Sequence, residues 1–155
     1  QNWKNEFDRW IYNKIRSVHY KVFLLDNKLK PSDRHAHITK WYSKGGVLIL
    51  GYPLFKSLLG PLPKLEEGQR EDIRKALADP GPDCVVVDEA HNIKNPESML
   101  SKTLKLIKTR RRICLTGYPL QNNLSEYWCM VDFVKPMFLG TREEFKNMFE
   151  NPINN

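Results

Sequence analysis

Cysteine is scarce in this chain. Cys84, Cys114 and Cys129 are odd in number, widely spaced and without a C-x-x-C pair. This excludes a disulfide framework and a thiolate zinc site, and it suits reduced thiols in an intracellular protein. Cys84 and Cys114 lie in apolar runs and are expected to be small buried hydrophobes. Long apolar runs are also missing. None approaches the ~20 residues of a membrane span, and no signal peptide is present, so a membrane is not an expected partner. Internal repeats and low-complexity segments are absent, which sets aside solenoids and disordered linkers. Acidic residues are in deficit: 18 Asp and Glu stand against 25 Lys and Arg, a formal charge of +7. That excess suits a polyanionic partner, because basic side chains that neutralise phosphates release condensed counterions. Solvated surface lysine is the ordinary alternative.

What is present fits one globular unit. At 155 residues and 41% hydrophobic composition, the chain can bury a core. It opens at Gln1 directly on an amphipathic pattern and ends on the polar stretch Asn151 to Asn155, so it is expected to be a piece of something longer. Trp3, Phe7, Trp10 and Ile11 predict an opening helix, and Val22 to Leu25 a strand. Ser32 is placed to cap a helix running through Ile38 and Trp41 toward Ser43, which Gly45 and Gly46 end. Val47 to Leu50 predicts a second strand and Leu54 to Leu59 a short helix. Helix formers from Arg70 to Ala78 precede a Pro-Gly turn at 79–82. His35 and His37 are two apart and face different sides of a helix, so they do not make a metal site.

The run Val85, Val86 and Val87 predicts a strand covered on both faces. Asp88, Glu89, Ala90 and His91 follow it. Open parallel sheets place ligands beyond the carboxyl edge of such strands, so the two carboxylates are the first candidates for chemistry. One can hold a divalent cation while its neighbour polarises water. Met99, Leu100, Thr103, Leu104 and Ile107 form a helical stripe, and the basic cluster Arg110, Arg111 and Arg112 leads into the strand Ile113 to Thr116. That strand ends in Thr116-Gly117-Tyr118-Pro119, where glycine relieves backbone sterics and threonine offers a hydroxyl. Leu124, Tyr127, Trp128, Val131 and Val134 mark an amphipathic helix, and Glu143 to Phe149 a last one. Four strands separated by helical segments predict an α/β fold with a parallel sheet and flanking helices.

These motifs resemble the SWI/SNF-type helicase-like ATPases of superfamily 2. Asp88 to His91 resembles their Walker B motif, and Leu115 to Pro119 the motif that couples nucleotide state to DNA. Gln1 to Trp10 is similar to the tail of motif Ia, and Gly45 to Tyr52 to the segment ending in motif Ib. Within the family the likeness is strongest to the subgroup of ATRX and the androgen-receptor-interacting helicase-like proteins, carried by Pro80 to Asp83 and by Thr116 to Phe149. Against those relatives Pro53 replaces a usual Glu, and the stretch between Pro61 and Asp79 is short.

The resemblance implies part of the first RecA-like lobe of a nuclear, ATP- and Mg²⁺-dependent translocase on double-stranded DNA or nucleosomes, with nuclear protein partners. It implies that Asp88 holds Mg²⁺ and Glu89 polarises the water attacking the γ-phosphate. It also implies that His91, Thr116 and Gly117 couple this site to DNA, and that Tyr52, Lys94, Arg110, Arg111 and Arg112 are candidate DNA contacts. The glycine-rich G-x-x-x-x-G-K-[ST] loop that cradles phosphates does not occur in these residues, and neither does a second lobe. The chain is accordingly expected to be a single partial domain, inactive toward ATP in isolation. Two rival readings remain: a catalytically inactive DNA- or protein-binding module derived from such a lobe, and a DEAH-type RNA helicase. Leu115 to Asn123 tells against the second, because those enzymes usually carry Ser-Ala-Thr there.

Overall fold

A computed structural model describes residues 2–12, 20–26, 28–60, 65–117 and 124–154. The motif residues Tyr118 to Asn123 lie outside the described residues. The chain divides into two compact units, Gln1–Asp79 and Pro80–Asn155.

In the first unit, α1 (Asn2–Phe7) runs into a π-helical turn, and β1 (Val22–Leu25) pairs in parallel with β2 (Val47–Leu50), Val22 opposite Val47. Between them lies α2 (Pro31–Lys44), followed after β2 by α3 (Tyr52–Leu59) and α4 (Glu67–Leu77). Ser32 is not the cap of α2. The cap position is Lys30, which makes no side-chain bond, and Pro31 begins the helix. Proline's fixed φ and missing N–H suit a first helical turn. The glycine pair after α2 is sterically required. Gly46 has φ +109°, and a Cβ there would collide with the Lys21 carbonyl that Val47 N–H must reach at 2.8 Å. Ile38 of α2 and Ile73 of α4 are completely buried, and His35 Nε2 meets Asp72 Oδ2 at 2.9 Å across the same helix pair.

In the second unit, β3 (Val85–Val87) pairs in parallel with β4 (Arg112–Cys114), Val86 opposite Ile113. A 3-10 turn (Ala90–Ile93) and α5 (Met99–Leu104) connect them. Next come α6 (Leu124–Val134), α7 (Arg142–Phe145), a π-helical stretch and α8 (Asn151–Asn154). Val87, Ala90, Ile93, Leu104, Ile107 and Phe133 form the centre of its core.

The fold class is as expected: mixed α/β with parallel strands and flanking helices. Among the described residues, four strands pair as two two-stranded sheets, one in each unit. Three expectations of burial are corrected. β3 is not covered on both faces, since Val87 is buried while Val86 is 53% exposed opposite the 48% exposed Ile113. Alternate residues of a strand point to opposite faces, and α6 packs against β4 on one side. Cys84 is exposed and Cys114 half-buried; only Cys129 is buried. Met99 begins the α5 stripe but is exposed, because it sits at the helix's first position, beyond the packed turn.

Candidate active site

The two carboxylates stand on a bulge. Leu115 N–H donates to the Val87 carbonyl at 2.8 Å, continuing the parallel ladder beyond β3 and β4. In a regular parallel pair the Leu115 carbonyl would next accept from residue 89. It accepts instead from Ala90 N–H at 2.9 Å, so one extra residue is inserted on the β3 side. Glu89 N–H, displaced from the ladder, donates to Asp88 Oδ1 at 3.0 Å. Glu89 itself is left-handed at φ 51° and ψ 51°, a conformation that glycine, and less readily Asn or Asp, adopts and that costs a glutamate backbone strain. The result is that Asp88 and Glu89 leave the sheet at its carboxyl edge with both side chains exposed.

The segment beyond holds the bulge in place. The Glu89 carbonyl accepts from Asn92 N–H at 3.0 Å and from Asn92 Nδ2 at 2.9 Å. Asn92 is a positioning residue that motif spacing does not single out; an Asn three positions after a strained turn, able to bond back to it, is the available signal. His91 Nδ1 is a buried atom 3.2 Å from Glu89 Oε2. The contact is close enough for an ion pair when the ring is protonated, but its angles do not make a hydrogen bond. Thr116 and Gly117 follow Leu115 directly, so they leave β4 at the same edge as the carboxylates. Thr116 is half-buried. Gly117 does not need to be glycine for its own backbone: it is not among the described residues with positive φ, and a Cβ there meets no described atom within 4 Å. Its value is open space above the strand end.

The candidate DNA contacts are dispersed. Tyr52 is half-buried at the start of α3, in the first unit. Lys94 follows the 3-10 turn, exposed, with Nζ 3.9 Å from Glu126 Oε1. Arg110 and Arg111 are exposed. Arg112 is engaged inside the fold. Its Nε donates to the Thr109 carbonyl at 2.8 Å, Nη1 to Phe133 at 2.8 Å and Nη2 to Ile107 at 2.6 Å, and its guanidinium lies over the Phe133 ring. Such a fork suits three carbonyls at the end of α6 and the turn before β4. Beside it, burial pushes the Cys114 thiol up to about 11, which keeps it neutral and unreactive at neutral pH.

The donor set fits a hard cation. Among the described residues no cluster of three or more His, Cys, Asp or Glu forms a metal cage. Two exposed carboxylates at a strand end match the way Mg²⁺ is usually held, by one or two acids with water and substrate phosphates completing the octahedron. His91, with only one carboxylate close by, does not make a zinc site.

A model of the SNF2-related domain matches residues 1–155. The chain belongs to the SNF2-related family. Helicase ARIP4 of Mus musculus is 44% identical over an alignment covering 100% of the chain and 13% of that protein. The alignment is longer than the chain, so ARIP4 carries insertions relative to it. The transcriptional regulator ATRX homolog of Drosophila melanogaster is 46% identical, with 99% of the chain and 12% of that protein covered. The SNF2-related chain thus spans about an eighth of the length of these curated relatives. Among solved structures, the Sulfolobus solfataricus SWI2/SNF2 ATPase core in complex with dsDNA matches 99% of the chain and 26% of its own length, at 26% identity and a TM-score of 0.65. The chain is therefore part of an SNF2-family helicase-like ATPase domain, and the likeness to the ATRX and ARIP4 group holds over its whole length.

Proposed function

We propose that this chain supplies the cation- and water-handling half of the ATP site in a double-stranded-DNA translocase that works on chromatin in the nucleus. The observation that carries the reading is the bulge at Asp88 and Glu89, which lifts two carboxylates out of the ladder beside the Thr116 strand end. Bound with ATP, Mg²⁺ would neutralise charge on the β- and γ-phosphates. Asp88 would hold it. Glu89, exposed and aimed from a rigid turn, would orient and polarise the attacking water. His91 and the Thr116-Gly117 strand end would relay the state of the site toward DNA, with Tyr52, Lys94, Arg110 and Arg111 as candidate backbone contacts. Arg112 would act by holding β4 against α6. The DNA-bound SWI2/SNF2 relative supports the choice of duplex DNA, and the description of ATRX as a transcriptional regulator supports the nucleus.

The test is steady-state ATP hydrolysis by the intact protein, with and without duplex DNA and Mg²⁺. Turnover that requires Mg²⁺ and rises with duplex DNA is expected, and the 155 residues alone should give none, because they include no phosphate-cradling loop. Tight DNA binding with no turnover under any of these conditions would favour the inactive binding module.

A further inference from the structure

Three exposed basic side chains of the second unit gather at the sheet edge opposite the carboxylates. β3 and β4 are parallel, so the turn entering β4 lies at their amino edge, whereas Asp88, Glu89 and Thr116 lie at the carboxyl edge. At about 3.3 Å per residue, Arg111 is roughly 13 Å along the strand from Leu115, too far to share the phosphates of one nucleotide with the bulge.

That turn is rigid. Thr109 Oγ1 donates to the Asp83 carbonyl at 2.9 Å and accepts from Arg111 N–H at 3.2 Å. The Thr109 carbonyl is held by Arg112 Nε, and the Arg111 carbonyl accepts from Val85 N–H at 2.9 Å. Ile107, just before the turn, is buried. Lys108, Arg110 and Arg111 project from this frame as exposed side chains. Three other lysines of the unit have a carboxylate nearby. Lys94 approaches Glu126 at 3.9 Å, Lys102 pairs with Glu97 at 2.8 Å and Lys105 approaches Asp132 at 3.6 Å. Among the described residues no carboxylate lies within ion-pair distance of Lys108, Arg110 or Arg111. Three uncompensated cations on a pre-ordered turn, two of them forked guanidiniums, suit a row of phosphates.

We propose that Lys108, Arg110 and Arg111 form a separate contact for the phosphate backbone of duplex DNA, at the edge of the unit away from the hydrolytic site. This deepens the reading above and rests on its choice of DNA as partner. Arg112 serves the contact indirectly, by fixing the turn that presents the other three. Because only backbone phosphates are touched, the contact adds affinity without sequence preference.

The experiment is a titration of the intact protein with fluorescent duplex DNA across a range of NaCl concentrations. A Lys108→Gln/Arg110→Gln/Arg111→Gln variant is compared with wild type, and circular dichroism verifies its fold. The slope of log affinity against log salt should become shallower by about 0.9 for each phosphate that is no longer neutralised, roughly 2 to 3 in all, equally on unrelated sequences. Arg110→Lys/Arg111→Lys should retain most of the slope. A folded variant with the wild-type slope overturns the contact while leaving the DNA reading intact; a wild type that does not bind duplex overturns the DNA reading itself. A variant that loses affinity for a polyglutamate peptide but keeps its full slope on DNA assigns the turn to an acidic protein and overturns the proposal.

Discussion

At the residue scale, Glu89 is where backbone strain and the proposed chemistry meet. A left-handed backbone costs a non-glycine residue about 1 kcal/mol or more. Here the cost is borne by the residue whose carboxylate stands clear of the sheet, with its own N–H bonded to Asp88 and its carbonyl clamped by Asn92. Substituting glycine removes the strain and leaves both backbone bonds possible. Glu89→Gly is therefore expected to raise the stability of the intact protein by about 0.5–1 kcal/mol, read by denaturant unfolding, while removing turnover. A clear loss of stability would mean that the Glu89 side chain itself holds the bulge.

Elements show which parts of the architecture can be read from the chain. α7 begins with a capping box: the Thr141 hydroxyl accepts from Glu144 N–H, and Glu144 Oε2 accepts from Thr141 N–H at 2.7 Å. The Thr141 N–H, and next the Thr141 hydroxyl donating to the same oxygen at 2.9 Å, hold the Glu144 carboxyl below its usual pKa. A lowered folded-state pKa means stability that is fully present above the unfolded value and lost as pH falls through the folded one. Thr141→Ala should cost about 1 kcal/mol near neutral pH. It should also make the acid limb of the stability curve shallower below about pH 4.5, and only in part, because the hydroxyl bond to the Glu144 carboxyl is lost while the Thr141 N–H bond to it remains possible; thermal unfolding followed from pH 7 to pH 3 reads both, and a steeper acid limb would contradict this account of the cap. The strands and helices themselves are legible, because apolar runs and glycine or proline breaks mark them directly. Burial within them is less so. Helical periodicity turns α6 toward the core through Leu124, Tyr127, Trp128, Val131 and Val134, yet the structure buries Ser125, Trp128, Cys129, Met130 and Phe133. The helix is apolar on several sides, and its buried face includes Ser125 Oγ donating to Glu150 at 2.7 Å, a partner 25 residues away that helical periodicity cannot reveal. The bulge is illegible for a similar reason. A valine run followed by two acids gives the site its residues, but the hydrogen bond from Ala90 to Leu115 that creates its shape depends on register between strands. Arg112, grouped with its neighbours by charge, is separated from them by carbonyls that only the fold brings near.

At the scale of the whole molecule, the chain is part of an ATPase domain and matches about an eighth of the length of mouse ARIP4 and of the Drosophila ATRX homolog. Its two units carry different shares of the proposed work. The second unit brings the carboxylates, the Thr116 strand end and the basic turn onto one short parallel ladder, with the proposed hydrolytic groups at one edge and the proposed phosphate contact at the other. The first unit contributes Tyr52 at the start of α3. The central claim is that Glu89 acts on the attacking water, and it is tested most directly by Glu89→Gln in the intact protein, with ATP binding and DNA-stimulated turnover measured side by side. The account predicts that turnover falls by about 10²- to 10⁴-fold while ATP affinity stays within a few-fold of wild type. Turnover retained within about twofold of wild type would contradict it.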